Sequence, residues 1–135
     1  MFSFKRGIDK ARSIETGKSQ IHGNGVLARH SFKKGDIIEK APLILLDKTE
    51  RDLLQNTILF DYYFLLNHAE TPVALALGMA SLYNHAVNPN ASYIVQQKNA
   101  LLIIKALVPI AAGEEVTINY NGTPGDDTPV YFQNK

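Results

Sequence analysis

No apolar stretch in this chain runs far before a turn residue interrupts it, and that punctuation limits the fold more than any single motif. Even the longest runs, such as PVALALGMASLY at 72–83, fall well short of the ~20 residues a membrane helix requires. ARSIET (11–16) and GVLARH (25–30) read as strands around the loop GKSQIHGNG, and SFKKGD (31–36) reads as a turn. IIEKAPLILL (37–46) supplies one or two further strands, and ASYIVQQ, a Lys-Asn turn and ALLIIKAL read as a hairpin whose second strand is mostly buried. PIAAGEE is a turn, EVTINY (115–120) a last strand, and NGTPGDDTP an irregular tail ending in VYFQNK.

Helix signals are few. Asp47 with Glu50 three residues on predicts a capping box for a short helix in KTERDLLQN. ILFDYYFLL (58–66) has no clear period and suits either buried helix or strand, while VALALGMASLY after Pro72 reads as weakly helical. Many short strands with little helix predict a mainly β domain, and a length of 135 residues predicts one domain over 1–135, with a core at about 11–122 and a tail at 123–135.

Composition removes several function classes. The chain has no cysteine, which excludes disulfides and thiolate metal sites, and its four histidines, at 22, 30, 68 and 85, form no H-x3-H pair. The opening MFSFKRGIDKARS has no apolar core after its charges, so a signal peptide is not expected, nor is a membrane partner; the expected location is cytoplasmic, or a host nucleus for a viral or secreted protein. The net charge of +1 hides an asymmetry: residues 1–40 carry nine Lys/Arg against four Asp/Glu, and residues 41–135 carry five against nine. The basic part has scattered lysines without interleaved aromatics, so direct nucleic-acid binding is not expected. An acidic second half suits a basic peptide or cationic ligand.

Three places carry more. His22-Gly23-Asn24-Gly25-Val26 sets two glycines one residue apart, which permits positive φ and close backbone approach; alone it reads as a plain turn. SLYNHAVNPNASY (81–93) contains the skeleton Asn84, His85, Pro89, Asn90. Four fixed positions at residue frequencies near 5% recur by chance about once in 10⁵ windows. It is either a turn or a site in which an Asn amide offers donors and an acceptor at one spot. The third is Gly113-Glu114-Glu115-Val116-Thr117-Ile118-Asn119-Tyr120, by itself an acidic turn and a strand.

In this order, IHGNGVLARHSFKKGDII, YNHAVNPN and GEEVTINY resemble the SET domain, the protein-lysine methyltransferase fold, over roughly residues 11–122. ALGMASLYNHA is similar to the minimal viral version, and the resemblance is to minimal viral and prokaryotic members without flanking zinc regions. It implies a mainly β, β-clip fold of several short sheets, with a C-terminal segment threaded near the Asn-His loop. It implies S-adenosylmethionine as cofactor and a lysine of a basic protein as substrate, with a homodimer reasonable for so small a member. Carried over by position, the backbone of His22, Gly23, Asn24 and Gly25 would cradle the methionine part of the cofactor, and Asn84 and His85 would contact it. Tyr120 would be the catalytic wall of the channel. Tyr93, with Tyr83 and with Tyr62 or Tyr63, would line the lysine slot, although core packing is an equal reading for Tyr62 and Tyr63.

The departures from the family pattern are Ser81 for an arginine, Ala86 for a serine, Val87 for a cysteine and Asn121 for a glycine. With no cysteine a zinc-built lid is impossible, and Tyr131 and Phe132 are the candidates to close the adenine side. Two other classes stay open on the residues: a non-catalytic β-clip module binding a peptide or ligand, and a metal-dependent hydrolase using His22, His85 and acidic residues, which lacks well-spaced ligands.

Overall fold

The computed structural model describes residues 13–66 and 73–130, and they form two sheets with little helix. The strands are β1 (Ile14–Lys18), β2 (Asn24–Ala28), β3 (Ile37–Leu46), β4 (Tyr63–Leu65), β5 (Val73–Ala76), β6 (Asn84–His85), β7 (Ala91–Gln96), β8 (Leu101–Ala106) and β9 (Glu115–Ile118). Five strands form one sheet in the order β4-β5-β3-β8-β7, and four form the other in the order β1-β2-β9-β6.

The larger sheet is a scaffold built on alternation. In β8 the inward residues Leu102, Ile104 and Ala106 are buried, and they meet Ala91 of β7 and Ile38, Ala41 and Leu43 of β3 in one core. Each such Leu, Ile or Val contributes on the order of 1.5–3 kcal/mol by leaving water. Strand β3 breaks its own period: a bulge between Ile37 and Glu39 offsets its register against β8, so that Ile38 and Ala41, three apart, both point inward. Bulges re-aim side chains, and here Glu39 turns toward the site-bearing half of the molecule, where its carboxylate accepts from the Met79 N–H and the Tyr83 hydroxyl, each at 2.9 Å.

The predicted capping box exists. Helix α1 (Lys48–Leu54) starts at Asp47, whose carboxylate accepts from the Glu50 N–H at 2.9 Å while the Glu50 carboxylate accepts from the Asp47 N–H. The weakly helical reading of VALALGMASLY is corrected: Val73–Ala76 is strand β5, and only Ala80–Leu82 makes a single 3₁₀ turn. Val73, Ala74 and Ala76 are buried between β4 and β3, which favours the extended form for a short apolar run, and Gly78, at φ +66°, ends it. ILFDYYFLL divides into a 3₁₀ turn over Ile58–Tyr62 and strand β4. Among the described residues no helix is long and apolar enough to cross a membrane.

The smaller sheet brings the three motifs together. β9 is one of its two inner strands, antiparallel to β2 through Val26–Val116 and parallel to β6 through Asn84–Thr117 and His85–Ile118. Neighbouring strands lie about 4.8 Å apart, so three motifs far apart in sequence become adjacent on three neighbouring strands. After β9 the chain turns back and docks on the Asn-His loop. The Asn119 side chain donates to the carbonyls of Val87 (3.1 Å) and Asp126 (2.8 Å), and the Gly125 N–H donates to Val87 O at 2.7 Å. The expected threading of the C-terminal segment beside that loop is present.

Candidate active site

The Gly-x-Gly loop is shaped by Ser19. Its hydroxyl accepts from the N–H groups of Ile21 (2.8 Å) and His22 (3.1 Å) and donates to Glu115 Oε2 at 2.8 Å. The two glycines then do different jobs. Gly23 sits at φ +48° with open space where a Cβ would point, so it serves the turn and leaves room above the loop. Gly25 is buried, and a Cβ there would fall 2.2 Å from Glu115 Oε1 and 2.9 Å from Asn84 Nδ2. Its bareness makes room for the chain's own side chains.

Asn84 is the point where the motifs meet. Its Nδ2 donates to Glu115 Oε1 at 2.7 Å and faces the carbonyl oxygens of His22 at 3.1 Å and Asn24 at 3.2 Å. Asn90 clamps β9 from the other side: its Oδ1 accepts the Thr117 N–H and its Nδ2 donates to Glu115 O, both at 2.8 Å. The predicted loop residues His22, Gly23, Asn24 and Gly25 are thus brought to Asn84, and Ser19 and Glu115 join them, although sequence reasoning assigned neither a role.

Tyr120 faces the same loop from beyond β9. Its hydroxyl donates to the Tyr83 carbonyl at 2.7 Å, the residue directly before Asn84. Its main-chain N–H donates to His85 Nδ1 at 3.0 Å, and the two rings lie 5.1 Å apart. Burial, helped by the nearby Tyr62 hydroxyl and Glu115 carboxylate, pushes the Tyr120 phenol up to about 12. The phenol is therefore neutral at physiological pH, and its proton is given to Tyr83 O. Burial lowers the His85 imidazole from its ordinary value, against a smaller opposing effect of the Asp126 carboxylate. That agrees with a neutral ring whose bare Nδ1 holds Tyr120.

The tyrosines predicted to line a slot separate. Tyr93 packs edge-on against Phe64 with ring centres 5.2 Å apart, and its half-buried hydroxyl lies 3.4 Å from the Tyr120 carbonyl. A Cβ on Gly122 would approach that hydroxyl to 3.3 Å, so Gly122 keeps the space beside it open. Of the Tyr62/Tyr63 pair, Tyr62 lies near enough to Tyr120 to raise its phenol electrostatically, while the Tyr63 hydroxyl is buried without a hydrogen-bond partner among the described residues. The expectation for the Tyr83 side chain is corrected. Its ring is 1% exposed and its hydroxyl is bonded to Glu39, so it is a core anchor, and what it presents to Tyr120 is its carbonyl. Tyr131 and Phe132 lie outside the described residues.

The departures from the family pattern are absorbed locally. The Ser81 hydroxyl donates to Ala76 O, and the Ala86 N–H donates to Ile118 O. Asn121 donates to Thr128 O at 2.9 Å, while the positive φ a glycine would supply falls one residue later, at Gly122 (+89°). Among the described residues no three His, Asp or Glu side chains gather as a metal site would need.

This geometry has counterparts. The SET domain family model matches residues 23–121. The histone-lysine N-methyltransferase of Schizosaccharomyces pombe described as H3 lysine-37 specific is 28% identical over 108 residues, covering 79% of this chain and 72% of that protein. A crystal structure of a Plasmodium falciparum protein assigned as a histone methyltransferase superposes with a TM-score of 0.68 at 30% identity, over 83% of this chain and 96% of the other. The structure of ctPRC2 in complex with H3K27me3 and H3K27M shares the fold, with a TM-score of 0.68 at 24% identity over 91% of this chain and 16% of that one. With the family model spanning most of its length, and with its three motifs assembled on adjacent strands, this chain belongs to the SET-domain family and is homologous to histone-lysine methyltransferases.

Proposed function

We propose that this protein transfers a methyl group from S-adenosylmethionine to the side-chain amine of a lysine in a basic protein substrate. The observation that carries this reading is the junction at Asn84: the Gly-x-Gly loop, the Asn-His strand and strand β9 converge there, with the Tyr120 hydroxyl bonded one residue away.

The residues present fit an amino-acid-bearing cofactor. The loop is open above Gly23, two main-chain carbonyls point at one amide, and Asn84 can donate or accept after rotating that amide. The backbone of His22–Gly25 and the Asn84 side chain would hold the amino-acid end, with His85 beside them. When bound, S-adenosylmethionine supplies a methyl group already activated on a sulfonium.

The protein's own share is positioning. The Tyr120 oxygen, fixed by its bond to Tyr83 O, walls the place where lysine and cofactor meet and offers weak C–H···O contacts to a methyl group. Tyr93 and Tyr62 complete an aromatic slot that takes water away from the incoming amine. Lysine must arrive uncharged, and lowering its pKa from near 10.4 to about 8 costs ~3.3 kcal/mol. Desolvation among three tyrosines, opposite a cation, is enough for that without a general base. The released proton leaves with water.

A histone is the first substrate to try, given the names of the similar proteins and the acidic balance of residues 41–135. Incubation with radiolabelled S-adenosylmethionine and mixed histones should label lysine, and Asn84→Ala should abolish the label. Cofactor binding without transfer to any basic protein would favour the non-catalytic module instead.

A further inference from the structure

Glu39, on the larger sheet, holds a short turn that leads into the site. The 3₁₀ turn Ala80–Leu82 lies between Met79 and Tyr83, and the half-buried Glu39 carboxylate takes hold of both ends. Oε2 accepts from the main-chain N–H of Met79, and Oε1 accepts from the hydroxyl of Tyr83, each at 2.9 Å. A bare residue admits the carboxylate: a Cβ on Gly78 would fall 2.5 Å from Oε2. So short a turn has few bonds of its own, here the Leu82 N–H to Met79 O at 2.9 Å, and it depends on such outside support. Burial first, then the Glu39 carboxylate, push the Tyr83 phenol above its ordinary value of 10, so the proton stays on the donor.

Tyr83 is where this support meets the chemistry. Its carbonyl accepts from the Tyr120 hydroxyl at 2.7 Å, while its side chain ends on Glu39. Asn84, the next residue, has separate anchors: it pairs with Thr117 on β9, and its amide bonds the Gly-x-Gly loop and Glu115. We infer that Glu39 is a positioning residue for methyl transfer: through the Tyr83 hydroxyl and carbonyl it sets where the Tyr120 oxygen stands, and it leaves the cradle at Asn84 to its own anchors. A shift of about 1 Å in a group beside a reaction can cost roughly 100-fold in rate, so a modest loosening of Tyr83 is felt. The inference rests on the methyl-transfer reading above and adds to it a carboxylate 44 positions away from Tyr83 in sequence.

The test measures steady-state methyl transfer to histones, and S-adenosylhomocysteine binding by isothermal titration calorimetry, on the whole chain and its variants. Tyr83→Phe keeps the ring and the carbonyl and deletes the bond to Glu39. It should lower kcat roughly threefold to tenfold, the order of one hydrogen bond, and leave the affinity for S-adenosylhomocysteine within about twofold. Glu39→Ala cuts the same bond from the other side and should lose at least as much rate. Glu39→Gln can still accept from the Met79 N–H and donate to the Tyr83 oxygen, so it should keep most of the rate. In a Tyr120→Phe background the link is already cut, and adding Tyr83→Phe should change kcat by less than about twofold. Full kcat in both Tyr83→Phe and Glu39→Ala overturns the inference. A rate loss of the same factor with and without Tyr120→Phe overturns it too, since that marks a general loosening of the core. So does a loss of S-adenosylhomocysteine affinity that matches the loss of rate. No methyl transfer by the unmodified chain overturns the reading beneath the inference, and that failure shows before any substitution is made.

Discussion

The main-chain N–H of Tyr120 donates to Nδ1 of His85 across 3.0 Å, so the ring next to Asn84 sets the position of Tyr120. The bond requires Nδ1 to be bare. Protonation would turn an N–H toward an N–H and release Tyr120.

A pH dependence follows with a definite sign. Burial holds the folded-state pKa of His85 below its ordinary value of 6.5. The neutral ring therefore supports the fold in full above about pH 6.5, and that support is lost as pH falls through the lower, folded value. Urea unfolding at pH 7.5 and pH 5 should show lower stability at pH 5. His85→Asn, whose Oδ1 can accept the same N–H without titrating, should flatten that difference. A difference unchanged in His85→Asn would assign the acid sensitivity to other groups.

Tyr120→Phe removes the bond to Tyr83 O and, with it, the oxygen proposed to wall the slot. Stability should fall by about 1 kcal/mol and methyl transfer by roughly 10–100-fold. Because the phenol stands near 12, the loss should be the same factor at every pH up to about 10. A pH–rate profile that keeps full activity for Tyr120→Phe contradicts the role given to the hydroxyl.

The two loop glycines should respond differently to alanine. Gly23→Ala meets no neighbour but must hold φ near +48°, which costs about 1 kcal/mol in stability. Gly25→Ala has no such backbone demand, yet its methyl displaces Glu115 Oε1 and crowds Asn84. It should melt near the parent temperature and bind S-adenosylhomocysteine at least about tenfold more weakly. Parallel melting and calorimetry distinguish the two, and a Gly25→Ala protein with unchanged affinity would sink the account of that contact.

Asn90 is predicted to be a stability residue. Its amide satisfies Thr117 N–H and Glu115 O on β9, and its own N–H bonds the Thr117 hydroxyl. Asn90→Ala strands two main-chain groups of that strand and should cost on the order of 2–4 kcal/mol in chemical denaturation. A loss below about 0.5 kcal/mol, the range of ordinary surface changes, would show that water replaces the clamp.

What was legible in the sequence was what short-range chemistry writes. Asp47 and Glu50 announced their helix because a capping box is complete within four residues. The β7–β8 hairpin was readable from its Lys-Asn turn between two runs, the second apolar enough to be mostly buried. The strand Val73–Ala76 was not, since a fully apolar run has no period and its pairing with β3 and β4 decides its form. At the site, ordered motifs pointed to Asn84 and Tyr120. The Ser19–Glu115 bond joins residues 96 positions apart, and no local pattern records it. Tyr83 misled for a related reason: its ring is claimed by Glu39, which the β3 bulge turns inward, and only its carbonyl serves Tyr120.

The most direct measurement is tandem mass spectrometry of a basic protein, with histones first, after incubation with S-adenosylmethionine and this chain. Methyl groups confined to lysine side-chain nitrogens, lost with Asn84→Ala and strongly reduced with Tyr120→Phe, are the predicted result. Unmodified lysines in every basic protein tried, from a chain shown by calorimetry to bind the cofactor, would contradict it.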